Sequence, residues 1–206
     1  MENLQKDDLA FLLSLDQAVK IQDFLDSIPF NHEKSGETCM SPVRTLKEKK
    51  AHCMEGALLA CTALWLQKRE PLILSLKVIE EDYDHVVALY KENGYWGAIS
   101  KTNHAVLGFR DPIYKTVREL AISYFHEYFL ASTGEKTLKG YSRPINLKRF
   151  GEKWVTEEEN LFFIAEAIFD EKHTPIIPKA NQKFLRNATS LERKASSIPA
   201  DKIPSP

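Results

Sequence analysis

Residues 51–67, AHCMEGALLACTALWLQ, decide how this chain is read. Met54, Ala57, Leu58, Cys61, Leu64 and Trp65 recur at three- and four-residue spacing in a run rich in alanine and leucine. That pattern predicts a helix from Cys53 to Gln67 with its apolar stripe buried. A cysteine in the first turn sits where unpaired N–H groups and the positive end of the helix dipole favour a thiolate. Cys53 is therefore a candidate nucleophile. Cys61 lies inside the stripe and reads as core, whereas Cys39 falls in a polar stretch and reads as an accessible bystander.

Downstream of Pro71, three short segments have strand character: 72–79, 85–91 and 95–100. The last two are separated by Glu92-Asn93-Gly94, a hairpin signal, so they are expected to pair antiparallel. His85 opens the second segment. A histidine at the mouth of a strand beside the helix can take the thiol proton and later protonate a leaving amine.

Upstream, Leu12, Leu15, Val19, Phe24, Leu25 and Ile28 predict one or two helices over 5–30, stopped by Pro29. Residues 31–50 are polar and read as a loop with one short helical turn. The loop ends in Lys47-Glu48-Lys49-Lys50, which is either a solvated face or a source of positive potential beside Cys53. Lys101 to Tyr114 is a polar connection, either a loop at the cleft mouth or an ordinary link. After Asp111-Pro112, the residues Val117, Leu120, Ala121, Tyr124, Phe125 and Phe129 predict an aromatic-rich helix, and another is expected over 157–170. The reading is a single domain over 1–178, with N-terminal helices at 5–30, a core at 45–130 and a helical part at 140–178. Residues 179–206 lose periodicity and carry 6 basic and 2 acidic side chains, the profile of a basic, partly ordered tail.

The 206 residues carry a net charge of −1, so no basic field argues for a nucleic acid or a membrane surface as partner. Three cysteines cannot pair completely, and reduced thiols are the default. The N-terminus is acidic where a signal peptide is basic, and no apolar run approaches ~18 residues. These features predict a cytoplasmic chain. No Cys-x-x-Cys or His-x-x-x-His spacing occurs, so neither a metal site nor another cofactor is expected.

Three words, Ala51-His52-Cys53-Met54-Glu55-Gly56-Ala57, Asp84-His85-Val86-Val87-Ala88 and Tyr95-Trp96-Gly97-Ala98-Ile99-Ser100, together resemble the transglutaminase-like branch of the papain-like cysteine enzymes. The stretch covered is about residues 45–105, and from Ser41 to Phe129 the chain is similar to a bacterial group in that branch without an assigned activity. The resemblance implies an α+β fold with a papain-like, transglutaminase-like core: the helix carrying Cys53 packs on an antiparallel sheet, with extra N- and C-terminal helices. It implies thiol-based acyl transfer on an amide of a peptide or protein, by hydrolysis, deamidation or transamidation. Cys53 would be the nucleophile and His85 base, then acid. Members of the branch usually carry aspartate four residues after the tryptophan of the third strand, and here that position is Ser100. Serine can orient an imidazole by one hydrogen bond but cannot stabilise imidazolium by charge. Asn103 is the other candidate orienter, although strand alternation points it away from Ser100 unless the chain bends. His52, Trp96 and His104 are candidates to line the cleft. The missing aspartate also allows a different class of protein, a catalytically weak or inactive module that binds a peptide or protein in the same cleft.

Overall fold

The computed structural model describes residue 1 and residues 4–196. Helices α1 (Lys6–Ser14), α2 (Ala18–Ser27), α3 (Pro42–Glu48) and α4 (Cys53–Leu66) come first. Strands β1 (Leu72–Lys77), β2 (His85–Glu92), β3 (Tyr95–Ile99) and β4 (Arg110–Tyr114) follow, then helix α5 (Val117–Ser123). The remainder comprises β5 (Gly140–Ser142), β6 (Ile145–Asn146), α6 (Phe162–Phe169), β7 (His173–Pro175) and α7 (Ser190–Ser196). The fold is α+β. Its antiparallel sheet has seven strands in the order β4-β3-β2-β1-β5-β7, with β6 also on β1.

The expected hairpin forms: Glu92 faces Tyr95, and both Asn93 (φ 49°) and Gly94 (φ 90°) adopt the left-handed conformation that such a two-residue turn requires. Six consecutive residues of β2, His85 to Tyr90, are buried, because helices cover both faces of the sheet. Ile73, Val86, Ala88 and Ile99 pack under α4, α2 and α6. Leu74, Leu76, Val87, Leu89 and Ala98 face the other way, against Leu120, Ala121 and Tyr124. The helix at Cys53 is buried more fully than a one-sided stripe predicts. Met54 to Leu64 are buried without a break, since α1, α2 and α3 cover the side that the sheet leaves open.

Three expectations give way. Residues 110–114 form an edge strand, where Pro112 is tolerated because no neighbour needs its missing N–H. The region 140–178 is not simply helical: its first residues pair with the free edge of β1, Leu76 facing Tyr141 and Ile73 facing Ile145. Part of the expected tail is ordered against the loop before β5. The Ala188 N–H donates to the Gly134 carbonyl (2.7 Å), and the Arg193 guanidinium donates to the carbonyls of Ala131 and Ser132. The rest of that tail, 197–206, lies outside the described residues. Among the described residues no helix is long and apolar enough to cross a membrane.

The start of α4 is fixed by a buried carboxylate. Glu55 is fully inaccessible to solvent, and its oxygens accept from Asn31 Nδ2 (3.1 Å), Thr38 Oγ1 (2.8 Å), the Met40 N–H (3.1 Å) and the His52 N–H (3.0 Å). It is both the return half of a capping box and the clamp that holds 31–40 to the helix. One turn in, Gly56 lets the helix meet the chain beyond β3: a Cβ there would lie 2.4 Å from Lys101 Cβ. Replacing Glu55 with alanine strands four donors. Glu55→Ala is expected to lower stability by about 3 kcal/mol or more, read as a lower denaturant midpoint, and an unchanged midpoint contradicts the clamp.

Candidate active site

Cys53 is the first residue of α4, half-buried, and its N–H has no acceptor within the helix. His85 is the first residue of β2, only 5% exposed. Ser100 follows the last residue of β3 and is buried. The register pairs Ala88 with Ile99, so Ser100 comes out diagonal to His85 across the hairpin, within side-chain reach.

His85 Nε2 lies 2.7 Å from Ser100 Oγ, and that hydroxyl donates its proton to the Leu107 carbonyl at 2.9 Å. A carbonyl can only accept. The serine oxygen must therefore accept from His85, which places the imidazole proton on Nε2 and leaves the Nδ1 lone pair for the thiol. A neutral serine thus sets the tautomer through the carbonyl behind it.

Burial pushes the Cys53 thiol up, but the His52 and His85 rings beside it favour the thiolate and pull it down to about 6. The other two cysteines go the opposite way. Burial, with Glu55 and Cys53 nearby, pushes Cys39 up to about 12, and burial alone raises Cys61 further. Cys39 is 1% exposed and not the accessible bystander that its polar surroundings suggest, because the Glu55 clamp folds 31–40 inward.

His52 caps α4. Its Nδ1 accepts the Met54 N–H (3.2 Å), and its Nε2 lies 3.0 Å from the Thr38 carbonyl, so in this arrangement the ring is neutral with its proton on Nε2. Burial resists a second proton, whereas the thiolate, Glu55 and the Thr38 carbonyl favour it and push His52 up to about 9. Protonation at Nδ1 must displace the Met54 amide.

The remaining candidates separate. Asn103 is exposed and makes no hydrogen bond to His85; the chain turns away after Ser100 because Lys101 is drawn inward. Trp96 faces Lys91, six residues along β2 from His85, which places it roughly 20 Å away. It lies on the sheet face remote from α4, with Lys91 Nζ 4.8 Å above its ring, and does not wall the site. His104 is exposed but close to the site. Burial lowers its pKa, Asp82 opposes that shift, and His85 adds to it. Asp84 is occupied by Lys77 Nζ (2.7 Å) and the Val78 N–H (2.9 Å), so it shapes the β1–β2 turn. Among the described residues no three His, Cys, Asp or Glu side chains gather as a metal site requires.

Sequence reasoning missed what holds the serine. Gln22 of α2 accepts the Ser100 N–H with Oε1 (2.9 Å) and donates from Nε2 to the Ser100 carbonyl (2.8 Å), as a neighbouring strand would. The Lys101 ammonium donates to the carbonyls of Leu25 (2.7 Å) and Ile28 (2.6 Å) at the end of the same helix. Only chain contacts 73 to 78 residues apart reveal these partners, and no local pattern marks them.

The chain matches no family model and no curated protein.

Iodoacetamide labelling should rise with pH around 6 at Cys53 and level off above neutrality, as its thiolate fraction saturates, while Cys39 and Cys61 stay unlabelled in the folded chain. Peptide mapping by mass spectrometry reads this out. A Cys53 curve centred near the ordinary thiol value of 9.0 contradicts the assignment.

Proposed function

We propose that this protein is a cysteine-dependent acyl-transfer enzyme with a papain-like, transglutaminase-like core, acting in the cytoplasm on an amide of a peptide or protein. The observation that carries the reading is the hydrogen-bonded chain from His85 through Ser100 to the Leu107 carbonyl, with the His85 ring close enough to Cys53 to lower its thiol pKa. Its order along the chain, helix start, strand start and end of the next strand, is the order that the sequence resemblance implies. Three free cysteines, two of them buried, suit a reducing compartment.

In this mechanism the Cys53 sulfur attacks the amide carbonyl carbon, while the thiol proton resides on His85 Nδ1. The tetrahedral oxygen gains negative charge beside the Cys53 N–H at the helix start, a position worth ~3 kcal/mol per well-aimed donor. The carbon–nitrogen bond then breaks, and the proton on Nδ1 goes to the departing amine. The acyl-thioester is resolved by water or by an amine, which distinguishes hydrolysis or deamidation from transamidation. Ser100 keeps the ring aligned throughout but adds no negative charge to steady the imidazolium. That neutrality favours a second reading, a weakly active or inactive module that binds a peptide at the same cleft.

Exposure to an activated ester such as 4-nitrophenyl acetate, followed by mass mapping, separates the two. Acyl transfer predicts one acetyl group on Cys53, none in Cys53→Ala, and acylation about 10² to 10⁴ slower in His85→Ala. Ser100→Ala removes one neutral hydrogen bond and should slow acylation by about tenfold or less, corresponding to roughly 1 kcal/mol. A folded wild-type chain whose Cys53 is never acylated leaves the binding module as the better account.

A further inference from the structure

Three tyrosines near the sheet are buried, and two of them satisfy their hydroxyls within the protein. Tyr90 Oη donates to the Arg110 carbonyl (3.2 Å), and Tyr124 Oη donates to the Gly108 carbonyl (3.3 Å). Tyr128 is different. It is only 5% exposed, yet its hydroxyl has no hydrogen-bond partner among the described residues, and the oxygen is not sealed from solvent. Buried tyrosines usually commit their hydroxyl to a protein partner, whereas this one keeps it open to solvent and so to a ligand.

The surroundings of that hydroxyl indicate what it awaits. Tyr128 follows the 3₁₀ turn Phe125–Glu127 and is pinned by the Thr137 N–H, which donates to its carbonyl at 3.1 Å. Its ring packs in the cluster containing Leu107, whose carbonyl ends the His85–Ser100 relay, and Val78, whose N–H holds Asp84 beside His85. The phenol is thus anchored at the catalytic end of the sheet. Burial raises its pKa well above the ordinary tyrosine value, and among neighbouring charges Cys53 contributes most, ahead of Asp82 and Asp84. The hydroxyl feels the thiolate most strongly of all charges and is not bonded to it.

We propose that Tyr128 is a catalytic residue whose hydroxyl donates a hydrogen bond to the substrate's carbonyl oxygen, sharing the developing oxyanion with the Cys53 main-chain N–H. This rests on the acyl-transfer reading above and deepens it. The ligand it implies is a carbonyl compound seated between Cys53 Sγ and Tyr128 Oη, and no proton leaves the phenol during the step. The Cys53 sulfur bonds to the carbonyl carbon, the leaving group departs with the electron pair of its bond to that carbon, and the phenol only holds the oxygen in between. A hydroxyl that stays protonated at working pH is suited to that task, and one spent on a protein carbonyl is not.

Two reactions at the same sulfur test this, because alkylation by iodoacetamide displaces iodide without forming an oxyanion, whereas acylation by 4-nitrophenyl acetate forms one. In Tyr128→Phe, acylation of Cys53 should slow about 10²-fold, while the alkylation rate and its pH midpoint stay at wild-type values. The variant should melt at or above the wild-type temperature, since no protein hydrogen bond is lost. Equal acylation in the two proteins overturns the proposal. A shifted alkylation midpoint overturns it too, because the hydroxyl would then serve the resting thiolate. A wild-type chain that is alkylated at Cys53 but never acylated overturns the acyl-transfer reading itself, and this proposal with it.

Discussion

A single buried carboxylate organises the region on which the site depends. Glu55 is shut away from water, where an ionised group survives only if every lone pair is answered, and four donors from Asn31, Thr38, Met40 and His52 answer it. Because those donors come from the loop before the helix and from the helix cap, satisfying the charge forces the loop against the first turn. Cys39 becomes buried, His52 is turned to cap the Met54 amide, and Cys53 is left at the rim with an uncommitted N–H. A polar segment is thereby folded inward by a buried carboxylate, with Cys39 and Met40 as its apolar contribution to the core.

The second constraint is the grip of α2 on the end of β3. Strand pairing stops at Ile99, and the next peptide group would lack partners without the Gln22 amide, which supplies a donor and an acceptor in the geometry of a strand. Lys101 then satisfies two carbonyls at the end of α2, tying helix and strand together on both sides of Ser100. The serine hydroxyl is left with one role, to pass a hydrogen bond from His85 to the Leu107 carbonyl. Orientation by a carboxylate would bring negative charge with it; orientation by serine separates the two functions.

Much of the architecture was legible because it is local. Alanine and leucine spacing marks α4, Asn93-Gly94 marks the β2–β3 turn, and the apolar residues of 5–30 mark two helices that end at Ser14 and Ser27. Edge strands were not legible. Residues 110–114 contain a proline, and residues 140–146 span fragments of two and three residues, so neither shows an alternation long enough to stand out; both are strands only because β3 and β1 offer free edges. Trp96 illustrates the same limit: its place on β3 was readable, but its distance from His85 depended on the register, which put it opposite Lys91.

The sequence by itself determined the residues proposed as nucleophile and base, since a cysteine at a helix start and a histidine at a strand start are positions along a chain, visible in residue order. Only the tertiary structure decided who orients the histidine, who holds that orienter and which hydroxyl is left unspent. Ser100 and Asn103 were both candidates until the turn at Lys101 sent Asn103 into solvent. Gln22 and Tyr128 carry no local signal, because hydrogen bonds across 78 residues and a buried phenol without a protein partner exist only once helices and sheet have been brought together.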